Sequence, residues 1–300
     1  MKFKAAFYCG LQYLIATLLL LSVSTTAQSK NTDSLRLAAL VDSMGHHSNR
    51  DTNCTFCDLA LNNFTKPHII KKYPTLVSTA FQRANNCLLD KYGLAATLPL
   101  LDRMGKLAKQ NNSIELQAWY LNLKGIMLFE ANQNDSVLPV LLQSLQLFEK
   151  IKTSKDGLSR TCEFIGGVYW KIADTTKAIY YRKKALEYAE GIWWLKDIML
   201  TDLAVQYTRI KQHDSARYYI LESMEQSRKY NRGLGIAYIT LLKNDYALHA
   251  DDATLELDFQ NGVNESKKVN GVRLIFWGAN DLCEQFFKSK EEEFDICYTS

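Results

Sequence analysis

Proline and glycine are scarce. Four prolines and fourteen glycines in 300 residues leave little material for the many tight turns of an all-β chain. No stretch keeps a strict two-residue alternation of apolar and polar side chains, so half-buried strands are not expected. An excess of one charge is also missing. The 36 basic and 32 acidic side chains give +4, and loss of a leader carrying Lys2 and Lys4 leaves 34 against 32, or +2. That balance offers no electrostatic reason to expect nucleic acid. Hydrolytic motifs are absent. The histidines (His46, His47, His68, His213, His249) form no His-Glu-x-x-His arrangement, and neither Gly-x-Ser-x-Gly nor a phosphate-cradling glycine loop occurs. No enzyme activity, cofactor or metal is therefore expected. What is present is apolar content of 47%, enough to bury a sizeable core and to set intrinsic disorder aside.

The first 27 residues carry the pattern of an export signal. Lys2 and Lys4 supply a positive start, Leu14 to Val23 an apolar core, and Ser24-Thr25-Thr26-Ala27 a small-residue cleavage site, leaving Gln28 as the new amino terminus. The competing reading is a retained anchor, since Ala5 to Val23 almost spans a bilayer, but Gln12 and the polar flank favour cleavage. No later run approaches about 18 apolar residues, so no membrane span is expected after cleavage. The expected location is the periplasm or the cell exterior.

Of seven cysteines, Cys9 lies in the leader ahead of its apolar core, which is not the place of a lipid-attachment cysteine. Six remain: Cys54, Cys57, Cys87, Cys162, Cys283 and Cys297. An even number in an exported chain permits disulfides without requiring them. The Cys54-Thr55-Phe56-Cys57 motif could be a redox pair, half a zinc site or a haem attachment. Haem fails because Asp58 stands where histidine is needed. Zinc lacks two further ligands at a recognisable spacing, and a thioredoxin-like site lacks its βαβ setting. The plain alternative is two small apolar side chains on a short helix, oxidised to each other or to Cys87. The Cys54–Cys57 bridge is the candidate disulfide.

The strongest internal signal is periodic. Asp135-Ser136-Val137, Asp174-Thr175 running to Ala178, Asp214-Ser215-Ala216 and Asp251-Asp252-Ala253 each open an apolar run. Their anchors Val137, Ala178, Ala216 and Ala253 lie 41, 38 and 37 residues apart. A recurring period in this range marks a helical repeat array. Each acidic or hydroxyl side chain is expected to accept from the free N–H groups at the start of a second helix, worth about 1 kcal/mol. Gly125 and Gly166 fall inside helical stripes. A glycine there costs up to ~1 kcal/mol against alanine, so close approach of the paired helix is the expected reason.

The residues resemble the tetratricopeptide repeat family, whose pattern is an aromatic or Leu-x2-Leu-Gly-x2-Tyr followed by Ala-x3-Phe. Cys162-x2-Ile165-Gly166-x2-Tyr169 with Ala178 and Ala185 matches best, then Leu200-x2-Leu203-Ala204-x2-Tyr207 with Ala216 and Ser223. Leu121-x2-Lys124-Gly125-x2-Leu128 with Val137, Leu141 and Ser144 is looser. Degenerate units surround Phe81, Ala84 and Leu88, and Tyr238, Leu241 and Tyr246. The interval exceeds the family's unit of about 34 residues, and the surplus falls between units. The resemblance implies an all-α superhelical solenoid of antiparallel helix pairs with one concave face. The expected organisation is a signal at 1–27, an N-terminal helical cap at 28–75 and the array at 76–300, with its best repeats at 118–151, 159–192 and 197–230.

The resemblance also places a binding groove on first-helix residues. Carried over, these are Trp119, Asn122 and Glu130, then Arg160, Glu163, Trp170 and Lys171, then Thr201, Thr208 and Arg209. Mixed charge with tryptophans suits an extended peptide; the alternative puts Trp119 and Trp170 in the core. The family's grip on a C-terminal carboxylate is not supported, because Ile126, Phe164, Ile198 and Asp202 stand at the matching positions. At the far end, Leu274 to Leu282 look like the first helix of a further unit. Glu291-Glu292-Glu293-Phe294 would open its second helix, leaving an unfinished edge that suggests truncation or completion by another chain, with oligomerisation one route.

The expected function is a non-enzymatic protein- or peptide-binding scaffold. The rivals are the periplasmic sensor part of a membrane signalling protein or transcription regulator, and a helical glycan-binding envelope protein. The latter is disfavoured by the missing lipid-attachment cysteine.

Overall fold

The computed structural model describes residues 30–50, 54–151, 154–230 and 234–268. The leader and the C-terminal segment carrying Leu274, Glu291, Cys283 and Cys297 lie outside the described residues, and so do the export signal and the unfinished edge expected there.

Among the described residues there are helices and no strands. A first group comprises α1 (Lys30–Arg50), α2 (Thr55–Leu61), α3 (Pro67–Lys72) and α4 (Pro74–Tyr92). Pro67 and Pro74 sit at the first helical positions, where a missing N–H removes nothing. Then come α5 (Leu94–Gln110), α6 (Ile114–Glu130), α7 (Asn134–Ile151), α8 (Lys155–Lys171) and α9 (Thr175–Tyr188). The array continues with α10 (Trp193–Arg209), α11 (His213–Lys229), α12 (Gly235–Ala247) and α13 (Asp252–Lys268).

The closest packing joins α6 to α7, α8 to α9, α10 to α11 and α12 to α13. These are the antiparallel pairs of a tetratricopeptide-like solenoid. Successive first helices (α4, α6, α8, α10, α12) also touch one another, whereas the second helices make no comparable contacts. Elements that stay in contact along a curved array lie on its inner side, so the first helices line the concave face.

One turn is reused between the helices of each pair. Asn132, Ala173, Lys211 and His249 adopt left-handed backbone, with φ of 55°, 62°, 60° and 57°. The next residue's N–H then bonds back five residues, as in Gln133 to the Leu128 carbonyl at 3.0 Å and Asp174 to Tyr169 at 2.9 Å. Gln212 to Tyr207 at 2.9 Å and Ala250 to Asp245 at 3.0 Å repeat the bond. This closure satisfies carbonyls at the helix end that have no partner within the helix. It is the physical form of the repeat seen in the sequence.

The expected helix caps are half right. Asp174 accepts from the Lys177 N–H at 3.1 Å, and Asp251 from Thr254 at 2.8 Å. At the other two turns the helix begins earlier, at Asn134 and His213, so Asp135 and Asp214 lie within the first turn, where they complement the helix dipole. Val137, Ala178 and Ala216 are fully buried, but Ala253 is exposed, so the fourth anchor is not a packing contact. The surplus expected between units is taken up partly by the helices: α6, α8 and α10 each run 17 residues. Trp193 stacks on Tyr230 with centroids 4.8 Å apart.

Gly125 has the expected reason. A Cβ there would lie 2.3 Å from Leu141 Cδ2, because α7 presses directly on α6. Trp119 and Asn122 do not reach the concave face, contrary to expectation. Trp119 is buried edge-on to Phe148 at 5.0 Å, and Asn122 is sealed between units with its Nδ2 donating to Thr161 Oγ1 at 3.0 Å.

The disulfide is also different from the expected Cys54–Cys57 pair. Cys54 bonds Cys87 of α4, with Cα atoms 5.9 Å apart, tying the start of α2 to α4. Cys54 precedes α2 in left-handed conformation, while Cys57 is buried one turn on with its Sγ 3.8 Å from the Met44 carbonyl.

Candidate functional site

A continuous apolar core runs from Leu37 to Met199, and separate smaller clusters form around Leu203, Ala204 and Tyr207. The interruption falls where α10 packs on the α8–α9 pair. Four residues past the anchors Val137 and Ala216 stand the buried aliphatics Leu141 and Ile220. Four residues past Ala178 stands Arg182. The position that is aliphatic in α7 and α11 is charged in α9.

The route of Arg182 depends on a glycine pair. A Cβ at position 166 would meet Arg182 Cγ at 2.8 Å and the Ala178 carbonyl at 3.0 Å, so only glycine lets the arginine stem cross α8. A Cβ at position 167 would lie 4.0 Å from Arg182 Nη2 and 3.4 Å from Phe129 Cζ. The guanidinium then pairs with Asp202 of α10, Nη1 to Oδ2 at 3.1 Å, and its Nε is buried without a partner.

Glu163 of α8 completes the cluster. Burial, reinforced by the neighbouring Asp202 charge, pushes its carboxyl up to about 7, against the pull of Arg160 and Arg182. Burial also raises Asp202, opposed by Arg182. Arg160 is bonded to Asp156 at 2.8 Å. One turn after Asp202, Gln206 is 2% exposed, and neither its Oε1 nor its Nε2 has a hydrogen-bond partner.

Aromatic side chains flank the charges. Arg209 lies over the Trp170 ring at 5.8 Å, joining the ends of α8 and α10. Lys171 Nζ sits 3.6 Å from the Phe129 ring centroid and donates to the Phe129 carbonyl and to Asn132 Oδ1, each at 3.1 Å. Phe129 meets Phe164 edge-on at 5.9 Å. Of the expected groove residues, Trp170 and Arg209 meet between the ends of α8 and α10, Glu163 faces Asp202 of α10, Arg160 is held within α8 by Asp156, and Lys171 turns to the end of α6. Glu130 is exposed at the end of α6. Thr208 returns its hydroxyl to the Ala204 carbonyl at 3.0 Å, and Thr201 turns toward its own partner helix, 3.0 Å from Ser223 Oγ.

Arg182, Asp202 and Gln206 were not among the expected site residues. The available signal was the departure of Arg182 from the aliphatic set at Leu141 and Ile220.

A second polar seam lies between α11, α12 and α13. Arg217 Nη1 donates to Asp245 Oδ1 at 2.8 Å, and His213 Nδ1 lies 3.0 Å from Asn244 Oδ1. Burial and the adjacent Asp245 push Asp258 up to about 6. Among the described residues, no three histidine, cysteine or acidic side chains converge as metal ligands. None of the described helices is long and apolar enough to cross a membrane.

No family model matches this chain, and no curated protein does. Similarity is found among solved structures. BtubC (BKLC) from P. vanneervenii superposes with a TM-score of 0.55 at 11% identity, covering 82% of this chain and 94% of that one. A Rap protein complexed with Competence and Sporulation Factor gives 0.54 at 13% identity, covering 85% of this chain and 73% of that one. A STAND signal-transduction ATPase with a tetratricopeptide repeat sensor, from Pyrococcus horikoshii, gives 0.47 at 14% identity over 45% of its length. At such identities the first two establish the fold alone, a tetratricopeptide-like helical array.

Proposed function

We propose that this chain is an exported, non-enzymatic scaffold that binds a protein or an extended peptide along the inner face of its first helices. The observation that carries the reading is the junction of α8 and α10. There Arg209 lies over Trp170, and Arg182 pairs with Asp202, so that aromatic and charged side chains join two successive first helices. Aromatic and arginine side chains supply most of the binding energy at protein surfaces. The Rap protein of similar fold is complexed with a Competence and Sporulation Factor, in keeping with a partner-binding role for such an array. Export is supported by the leader pattern and by the Cys54–Cys87 bond, which belongs in an oxidising compartment.

The test is capture of partners from the native envelope by the wild type and by a Trp170→Ala/Arg209→Ala double variant. The double variant, folded by circular dichroism, is expected to lose the captured partners. Identical partner profiles would overturn the site.

A further inference from the structure

Apart from the binding reading of the concave face, we propose that the seam where α11, α12 and α13 meet is a proton-operated latch. With a proton on Asp258, that side chain donates to Asp245 and holds α13 against α12. Without it the two carboxylates oppose each other and α13 loosens.

The packing of α13 supplies the first argument. Earlier second helices are held by apolar anchors, Val137 and Leu141 in α7 and Ala216 and Ile220 in α11, all buried. In α13 the counterparts Ala253 and Leu257 are exposed, Leu257 by 61%, while Leu255 and Val263 are half-buried. Among the described residues, the side chain that this helix does bury is Asp258, 7% exposed, with Gly262 one turn on along the same face. None of the apolar clusters among the described residues draws a side chain from α13. Apolar burial that would hold the helix at any pH is therefore thin, and a carboxyl group occupies its contact with α12.

The second argument is the chemistry around that carboxyl. Asp245 of α12 and Arg217 of α11 face it. Arg217 is already engaged with Asp245, Nη1 to Oδ1 at 2.8 Å, and Asn244 Nδ2 lies 3.5 Å from the same oxygen. His213 of α11 joins the seam through Asn244 Oδ1, 3.0 Å away. Asp258 Oδ2 is buried without a hydrogen-bond partner. Ionised carboxylates only accept, so two of them side by side have no bond to offer each other, whereas a protonated one donates. One proton on Asp258 thus turns a repulsive pair into a hydrogen bond between α13 and α12.

Burial, then the charge of Asp245 and the hydrogen bond with it, push Asp258 from 3.8 up to about 6, with Arg217 pulling the other way. Between those values the docked helix keeps a proton that the released helix loses. Docking is therefore strongest below the window and weakens as pH rises through it. A shift of that size raises opening by at most ~25-fold between pH 4.5 and 7.5. About tenfold is expected, because the Arg217 side chain is 51% exposed and admits water to the seam.

The test is hydrogen exchange of the full chain at pH 4.5 and 7.5, expressed as protection factors that divide out the intrinsic pH dependence. The α13 amides should lose about tenfold in protection at the higher pH relative to those of α6. Asp258→Asn keeps the shape and a donor without ionising, so α13 should be equally protected at both values. Glu256→Gln, exposed on the same helix, should behave as the wild type. Wild-type protection of α13 that is equal at the two values, or higher at pH 7.5, would overturn the latch. So would a dependence that survives Asp258→Asn and disappears in His213→Gln, which would put the titrating group on α11. Equal losses in α13 and α6, unchanged by Asp258→Asn, would mean opening of the whole array and would overturn it too. Capture of envelope partners through Trp170 and Arg209 is indifferent to all these outcomes, so the two readings stand or fall separately.

Discussion

Replacing Glu163 by glutamine should stabilise the protein, and should do so only above mildly acidic pH. In the folded chain this carboxyl is pushed up from 4.5 to about 7, chiefly by burial and secondly by Asp202. Between those two values the native state holds a proton that the unfolded state has lost, so stability falls as pH rises through the window. Each tenfold change in proton affinity is worth about 1.4 kcal/mol, which caps the penalty near 3 kcal/mol. The side chain is only partly shielded and shares its titration with Asp202, so ~1–2 kcal/mol is the expected size. Glutamine keeps the shape and removes the ionisation. Urea unfolding of the wild type and Glu163→Gln should therefore give nearly equal stabilities at pH 4.5 and a gap favouring the variant at pH 8. A gap that is absent at pH 8, or that favours the wild type, would refute the buried, charge-crowded setting assigned to Glu163.

Three further outcomes test the array itself. Lys211 holds φ of 60° at a turn where only glycine is unstrained, so Lys211→Gly should gain ~0.5–1 kcal/mol in chemical denaturation; a loss would contradict the turn geometry. Gly125→Ala drives a Cβ to 2.3 Å from Leu141, and overpacking of that kind should lower stability by about 1–3 kcal/mol, with relief in the Gly125→Ala/Leu141→Ala double variant relative to additivity. Cys87→Ser opens a 33-residue separation closed by the bond to Cys54 and should lower stability by about 3–4 kcal/mol on loop entropy, whereas Cys57→Ser should leave the bond intact in a thiol titration.

The repeat was legible in the chain because its determinants are local. A left-handed turn residue, an acid or hydroxyl next to it and a small buried anchor recur within a few positions, so Val137, Ala178 and Ala216 mark their helices without tertiary knowledge. What depends on how helices face each other was not legible. Arg182 stands beside Lys183 and Lys184 and reads as part of a solvated face; only the gap opened by Gly166 carries it across α8 to Asp202. Trp119 and Trp170 occupy first helices alike, yet Trp119 finds Phe148 behind it and is buried, while Trp170 finds Arg209 in front. The choice of Cys87 over Cys57 as the partner of Cys54 rests on α4 packing against α2, a contact between segments with no shared periodicity.

The central claim is that partners lie on the concave face. A photo-crosslinking amino acid placed at Arg209, exposed beside Trp170, and separately at Tyr218, 59% exposed on the second helix α11, compares the two sides of the array in the native envelope. Adducts from position 209 and none from 218 are the expected result. Adducts from 218 with none from 209 would contradict the account.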